Sequence, residues 1–268
     1  MAEPATDPSA VRMSFSEHLE ELRKRLMRSV IVLAVLFGLG WFVFPAQLEA
    51  FFLQPHFWAV DRLAALDPPI LFERRLMVLS AVEQILYRAK VALLAAMILG
   101  FPFVLHQVWS FIAVGLFKHE RKAVMGFVPW SLLLAIAGMT FGYLVLVPSM
   151  LEYLYSIPDQ TLYFQSYRLE SYFSLFMLLT LALAAIFQLP LIMLGLSAAG
   201  LTSASFFRKY RRHWIVLAFI FAGVVTPSPD PLSQLLMAVP MLLLYEIGLL
   251  AIVLTERRKK RRAASESA

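Results

Sequence analysis

The sequence predicts an all-α polytopic membrane protein with six transmembrane helices. Of its 268 residues, 60% are hydrophobic and only 16% are charged, and the mean hydropathy is +0.72. Soluble domains have about 45–50% apolar and about 25% charged residues, so the composition argues against an ordinary water-soluble enzyme. The net charge of +6 indicates basic segments outside the membrane.

Long stretches without charged residues define the six spans. A helix needs about 20 mostly apolar residues to cross the hydrocarbon core of a bilayer. The gaps between charges predict spans at 29–44, 91–117, 123–147, 171–196, 213–225 and 231–254. We expect residues 1–28 to form a cytoplasmic amphipathic segment and residues 255–268 a basic cytoplasmic tail, so that the chain is a single integral membrane domain.

The distribution of lysine and arginine predicts the orientation. Cytoplasmic loops of membrane proteins carry an excess of these two residues. Of the 24 lysines and arginines, 18 lie in the N-terminal segment, in the loops after spans two and four, and in the tail. Both termini are therefore expected in the cytoplasm, which requires an even number of spans.

The fifth span is unusually short. It has 13 residues, from His213 to Val225, and is followed at once by Pro227 and Pro229. A helix of this length measures about 20 Å, which is less than the thickness of an average bilayer core. We expect either local thinning of the membrane or a span packed against other helices.

The N-terminal segment is predicted to be an amphipathic helix, and its acidic residues have two interpretations. Glu20 can pair with Lys24 and Glu21 with Arg25, one helical turn away, which would make them a solvated and self-paired surface. Alternatively, the cytoplasmic acids are grouped to receive a basic ligand. The cytoplasmic segments carry eight acidic residues against 18 basic ones, and such a surface repels cations unless carboxylates are grouped.

The second cytoplasmic loop places a single acid, Glu120, among Lys118, Arg121 and Lys122. A surface ion pair is the simpler interpretation, and such pairs contribute little to stability.

Polar residues inside the predicted spans are candidates for function, because they are costly in a bilayer. Glu246 falls near the middle of span six, and Gln188 precedes Pro190 in span four, where proline is expected to kink the helix. Gln188 could equally be a packing contact between helices. The same alternatives hold for His106 and Gln107 in span two.

Several classes of site are absent from the sequence. There is no cysteine, and the five histidines lack the spacing of metal ligands. No nucleotide-binding or hydrolase motif occurs, so we expect no enzyme activity, cofactor or metal. The basic tail beside a membrane span indicates attachment to anionic lipid rather than to nucleic acid. Asp230 before Pro231 is typical of a helix N-cap.

Five motifs, in order and spacing, resemble the TatC subunit of the twin-arginine protein translocase. They cover nearly the whole chain from about residue 14 to residue 246, and their combination is highly specific. They are HLEELRKRL (18–26), HQVWSFIAVGLFKHERK (106–122), FGYLVLVP (141–148), FQLP (187–190) and TPSPDPLSQLLMAVPMLLLYE (226–246).

The resemblance implies a glove-shaped bundle of six spans that binds the twin-arginine signal peptides of folded precursor proteins. It places Glu21 and Glu120 on the positions that meet the two arginines. Arg23 and Phe111 fall on further positions that the family uses around signal recognition.

The resemblance also implies a concave face used in transport. Gln188, Asp230 and Gln234 match polar positions of that kind, and Glu246 is expected to line the same groove. Gln188 is neutral where members often carry glutamate. Val114 and Ala81 stand where proline is common in the family.

The implied partners are the single-span TatA and TatB proteins, membrane lipids and further copies of the chain. Transport would be driven by the proton motive force across a bacterial or archaeal cytoplasmic membrane. Two alternatives stay open from the residues: a proton-coupled small-molecule transporter that uses Glu246, and an intramembrane hydrolase. The sequence shows neither the internal repeat of many such carriers nor a plausible catalytic pair.

Overall fold

The structure, a computed structural model, is built from long helices. It describes residues 15–67, 69–70, 74–114, 126–157, 166–198, 200–226 and 230–266. Across these ranges the only β-type pairing is an isolated bridge between Met77 and Arg168. The all-α fold class predicted from the sequence is therefore confirmed.

The first two spans form a closely packed antiparallel pair. Helix α1 (Phe15–Phe42) runs beside α3 (Ala81–Val114). A Cβ atom added at Gly100 would lie 2.6 Å from a methyl group of Leu33, so the glycine allows the two helices to approach closely.

Helix α2 (Pro45–Ala64) lies between the first and second spans, where no helix was predicted. Its charged residues and the internal Pro55 hide it from a search for charge-free segments. The helix buries Phe52, Ala59 and Leu63 in the core of the bundle.

The third span contains a wide turn. It consists of α4 (Val128–Phe141), a π-helical segment (Gly142–Leu146) and α5 (Val147–Ser156). The Tyr143 hydroxyl in the π-helical segment donates to the carbonyl oxygen of Phe51 at 2.7 Å, which ties the span to α2. A π segment widens the helix and often marks a functional region.

The fourth span is broken in the middle, as Pro190 predicted. It consists of α6 (Leu169–Ile186) and α7 (Leu189–Ala198), with Phe187 and Gln188 in the break. Phe173, Phe176 and Leu179 of α6 are fully buried at the centre of the main core.

The last two spans form a second antiparallel pair, α8 (Ala204–Val225) and α9 (Pro231–Glu266). The Tyr245 hydroxyl donates to the Phe207 carbonyl at 2.7 Å, and the Trp214 and Tyr245 rings stack at 5.2 Å. The Ala204 amide donates to the Glu256 carboxylate at 3.0 Å, so an acid on α9 caps the N-terminus of α8.

Five helical stretches within the described residues are long and apolar enough to cross a membrane: Ser16–Phe42, Ala81–Phe111, Val128–Ser156, Leu169–Ala198 and Pro231–Arg258. The predicted fifth span lies in the apolar second half of α8, whose first half carries Arg208, Lys209, Arg211 and Arg212. Within the described residues, each of the six predicted spans overlaps a helical run, and residues 115–117 and 123–125 of the second and third predicted spans lie outside the described residues. We call the end where α1 begins and α9 ends the terminal end, and the other the opposite end.

Candidate functional site

Glu21 lies near the start of α1 and is engaged by a guanidinium group of the same helix. Its carboxylate forms an ion pair with Arg25, one turn further on. The side chain of Glu21 is 25% exposed and that of Arg25 only 15%. The pair is shielded because α3 packs against this part of α1.

Two residues of α3 contact the part of α1 that carries Glu21. Arg25 Nη1 donates to Gln107 Oε1 at 3.4 Å, and Gln107 is itself buried. The Phe111 ring stacks on His18 with the ring centroids 4.4 Å apart. We call Glu21, Arg25, Gln107, His18 and Phe111 the terminal-end cluster.

The neighbouring charges on α1 face outward. Glu20 pairs with Lys24 at 2.8 Å, and the two side chains are 63% and 58% exposed. Arg23 is also exposed. The two pairs have the same spacing in the sequence and differ in burial.

Glu120, the second predicted arginine receptor, lies outside the described residues, which break off at Val114 and resume at residue 126. That Glu120 lies close to Glu21 is therefore part of the proposed function.

Gln188 is buried at the break between α6 and α7 and is hydrogen-bonded on both sides of its amide. Its Oε1 accepts from the Ser131 hydroxyl, and its Nε2 donates to the Ser131 carbonyl at 3.1 Å. The Trp109 indole donates to the same hydroxyl at 3.0 Å. These contacts join the second, third and fourth spans, as expected if Gln188 is a packing contact between helices.

Asp230 and Gln234 lie at the opposite end, where α9 begins. The Ser233 amide donates to Asp230 Oδ1 at 2.7 Å, so Asp230 caps the helix as its position before Pro231 predicted. Gln234 packs against Gly223 of α8, where an added Cβ would meet its Nε2 at 2.6 Å.

Glu246 is paired with a base of the neighbouring helix. Arg211 Nε lies 2.6 Å from Glu246 Oε1. Glu246 was expected near the middle of span six, and the basic half of α8 supplies its partner. Glu246 therefore neutralises a charge at the depth where the apolar part of α8 begins.

Ion pairs between segments that are distant in sequence hold the opposite end together. The pairs are Arg62 with Glu152, Arg74 with Asp61, Arg88 with Glu49, Lys90 with Glu170 and Arg168 with Glu83. Basic residues at this end are thus largely neutralised by acids.

A buried histidine also lies at the opposite end. His56 Nε2 is 3.2 Å from the Arg74 carbonyl and its Nδ1 is 2.9 Å from the Tyr155 hydroxyl. A carbonyl only accepts, so Nε2 carries the proton and Nδ1 accepts from the tyrosine. Burial lowers the pKa of His56 below its ordinary value, and the charge of Arg74 acts in the same direction.

The structure brings together only part of the predicted set. Glu21 and Phe111 share the terminal-end cluster, Asp230 and Gln234 lie at the opposite end, and Gln188 occupies its own buried network. Sequence reasoning missed the contact from Arg25 to Gln107, 82 positions apart. Among the described residues no cluster of three or more His, Asp or Glu could hold a metal ion.

Comparison with known proteins identifies the family. Residues 17–240 match the family described as TatC, Sec-independent protein translocase protein. The chain is 34% identical to the Sec-independent protein translocase protein TatC of Koribacter versatilis, over all of the chain and 99% of that protein. It is 32% identical to the TatC of Aquifex aeolicus, over 92% and 98%. It is 29% identical to the TatCy of Bacillus subtilis, over 95% and 94%.

Solved structures agree with these relatives. A crystal structure described as the twin arginine translocase receptor TatC superposes with a TM-score of 0.73 at 28% identity, over 88% of this chain and 98% of that one. A second, of the same receptor in the detergent DDM, gives a TM-score of 0.74 at 29% identity, over 88% and 99%. The chain is therefore a multi-pass membrane protein that belongs to the TatC family of Sec-independent protein translocase components.

Proposed function

We propose that this chain is the core receptor subunit of a twin-arginine translocase and that its terminal-end cluster binds the signal peptide. The observation that carries the proposal is the Glu21 carboxylate, half-buried and already paired with a guanidinium. A site that holds one arginine side chain has the charge and geometry to hold another. In this proposal the terminal end faces the cytoplasm of a bacterium or archaeon.

Two carboxylates receive the two signal arginines, Glu21 on α1 and Glu120 in the loop after α3. Arg23, exposed on the same helix, repels misplaced cations, and Phe111 offers an aromatic surface to the signal peptide. The apolar part of the signal lies along spans four to six. Gln188 supports this surface from its buried network and Glu246 from its ion pair with Arg211, while Gln234 and Asp230 lie at the far end.

Partners complete the translocase. We propose that TatA-type and TatB-type single-span proteins and further copies of the chain bind in the membrane, and that the proton motive force drives export. Exposed apolar residues along α8 and α9 provide surface for lipid or for such helices. The short apolar part of α8 would thin the membrane beside them.

The alternative of a proton-coupled small-molecule transporter depends on a titrating Glu246. Its ion pair with Arg211 gives this carboxylate a charge-neutralising role instead. Substrate-driven proton uptake by liposomes that contain only this protein, and its loss in Glu246→Gln, would favour the transporter.

An export assay tests the proposed function. Inverted membrane vesicles carrying the chain and its TatA and TatB partners should protect a twin-arginine precursor from added protease. Protection should disappear with an ionophore, and with Glu21→Gln or Glu120→Gln. Equal protection of a twin-lysine precursor, or full protection with both substitutions, would contradict the proposal.

A further inference from the structure

The receptor carboxylate proposed above is occupied in the structure by a residue of the same chain. Glu21 pairs with Arg25, whereas its neighbour Glu20 pairs with Lys24 at the water-exposed surface. An incoming arginine therefore meets a carboxylate of which one oxygen already contacts the Arg25 guanidinium.

Within the described part of the chain, the Arg25 guanidinium has two partners, but one of its hydrogen-bond donors has none. It contacts Glu21 through one terminal nitrogen and donates to Gln107 through the other at 3.4 Å. Its Nε is buried and has no hydrogen-bond partner among the described residues. A buried donor without an acceptor is costly, so this resting arrangement is less stable than a fully satisfied one.

We propose that Arg25 is a specificity-determining residue that occupies the Glu21 carboxylate in the resting state and is exchanged for a signal-peptide arginine. The inference rests on the proposed function, because it requires Glu21 to be the receptor. Arg25 acts through Glu21 and does not itself need to touch the signal peptide.

Exchange explains discrimination between arginine and lysine. A guanidinium offers two parallel N–H donors to a carboxylate, whereas an ammonium is a point charge. A signal arginine can donate to both carboxylate oxygens and so exceeds the single contact that Arg25 gives up, whereas a signal lysine only matches that contact. Without a competitor the carboxylate would accept either cation more readily.

Gln107 provides a hydrogen-bond acceptor for the displaced Arg25 side chain. Its buried amide oxygen already accepts from Arg25, so the guanidinium can move away from Glu21 without losing every partner. Removing that acceptor should bind Arg25 more firmly to Glu21.

The test uses the full chain in lipid nanodiscs and two synthetic signal peptides, one with the twin arginines and one with twin lysines. Arg25→Gln is compared with Lys24→Gln, since each removes one positive charge from an ion pair of the same spacing. Arg25→Gln should bind the twin-arginine peptide about fivefold more tightly or better, and should reduce the arginine-to-lysine affinity ratio. Lys24→Gln should change the ratio less than twofold.

The outcomes separate this inference from the proposed function. If Glu21→Gln leaves twin-arginine binding unchanged, the receptor assignment itself is wrong. A second result would contradict only the exchange of Arg25. In that result Glu21→Gln weakens binding, and Arg25→Gln either also weakens binding or behaves like Lys24→Gln. Arg25 would then only hold Glu21 in position.

Two further variants guard against misfolding of Arg25→Gln. Arg25→Lys keeps the charge but not the planar fork, and should give an arginine-to-lysine ratio between those of the wild type and Arg25→Gln. Gln107→Leu should weaken twin-arginine binding in the wild type but not in Arg25→Gln. A wild-type ratio in Arg25→Lys, or an equal effect of Gln107→Leu in both backgrounds, would overturn the exchange.

Discussion

At the residue scale, Glu20 and Glu21 illustrate what a sequence can and cannot predict. Both have a base four positions later, and both predicted pairs form. Burial of only the second pair depends on α3, whose Gln107 comes 82 positions after Arg25. Local spacing predicts ion pairs along a helix, whereas the contact that shields one of them arises from tertiary packing.

Ser131 is expected to be the structural centre of the Gln188 network. Ser131→Ala removes the hydroxyl that bonds both Gln188 and Trp109, and leaves buried polar atoms without partners. We expect a loss of about 1–3 kcal/mol in unfolding free energy, measured by unfolding in detergent. Ser29→Ala is the control, because the Ser29 hydroxyl bonds only a carbonyl of its own helix in the described structure.

An equal effect of the two serine substitutions would show that the network linking three spans adds nothing to stability. Gln188 would then be better explained by a direct role in transport.

His56 predicts a pH dependence of stability. Its folded pKa lies below the ordinary value of 6.5, so the unfolded chain binds more protons as pH falls through that value. Stability should therefore be fully present above pH 6.5 and decrease below it. Unfolding midpoints at neutral and acidic pH should differ less in His56→Gln than in the wild type, and an equal difference would contradict the assignment.

At the element scale, charge-free gaps predicted the helical runs because a bilayer requires long apolar segments. The break in α6–α7 was predicted from Pro190. Helix α2 was missed because its charges and Pro55 hide it, and the π-helical segment has no charge or proline signal of its own. The partner of Glu246 was missed because it depends on how α8 and α9 align.

Close approach of the fourth span to the third gives a prediction at this scale. A Cβ at Gly138 would lie 2.7 Å from Phe187 Cγ, next to the helix break, whereas a Cβ at Gly38 meets nothing within 4 Å. Gly138→Ala should lower the unfolding free energy by about 1–3 kcal/mol. Gly38→Ala should be neutral or slightly stabilising, and a similar loss in both variants would contradict the packing argument.

At the scale of the whole molecule, charge is divided between the two ends. At the opposite end, Arg62, Arg74, Arg88, Lys90 and Arg168 are each paired with an acid. The N-terminal segment, the loops after spans two and four, and the tail together carry 18 lysines and arginines, and Glu21 is a shielded acid of the N-terminal segment. The net charge of +6 thus comes from these basic segments, and in the proposed function the signal peptide binds where a carboxylate interrupts the basic surface.

Equilibrium binding of a twin-arginine signal peptide to the chain in nanodiscs tests the central claim most directly. Glu21→Gln should weaken binding about tenfold or more, because a hydrogen bond to a charged group contributes about 1.5–3 kcal/mol. Glu20→Gln, which alters the exposed neighbour, should stay within about twofold of the wild type. Unchanged binding in Glu21→Gln, or an equal loss in Glu20→Gln, would contradict the account.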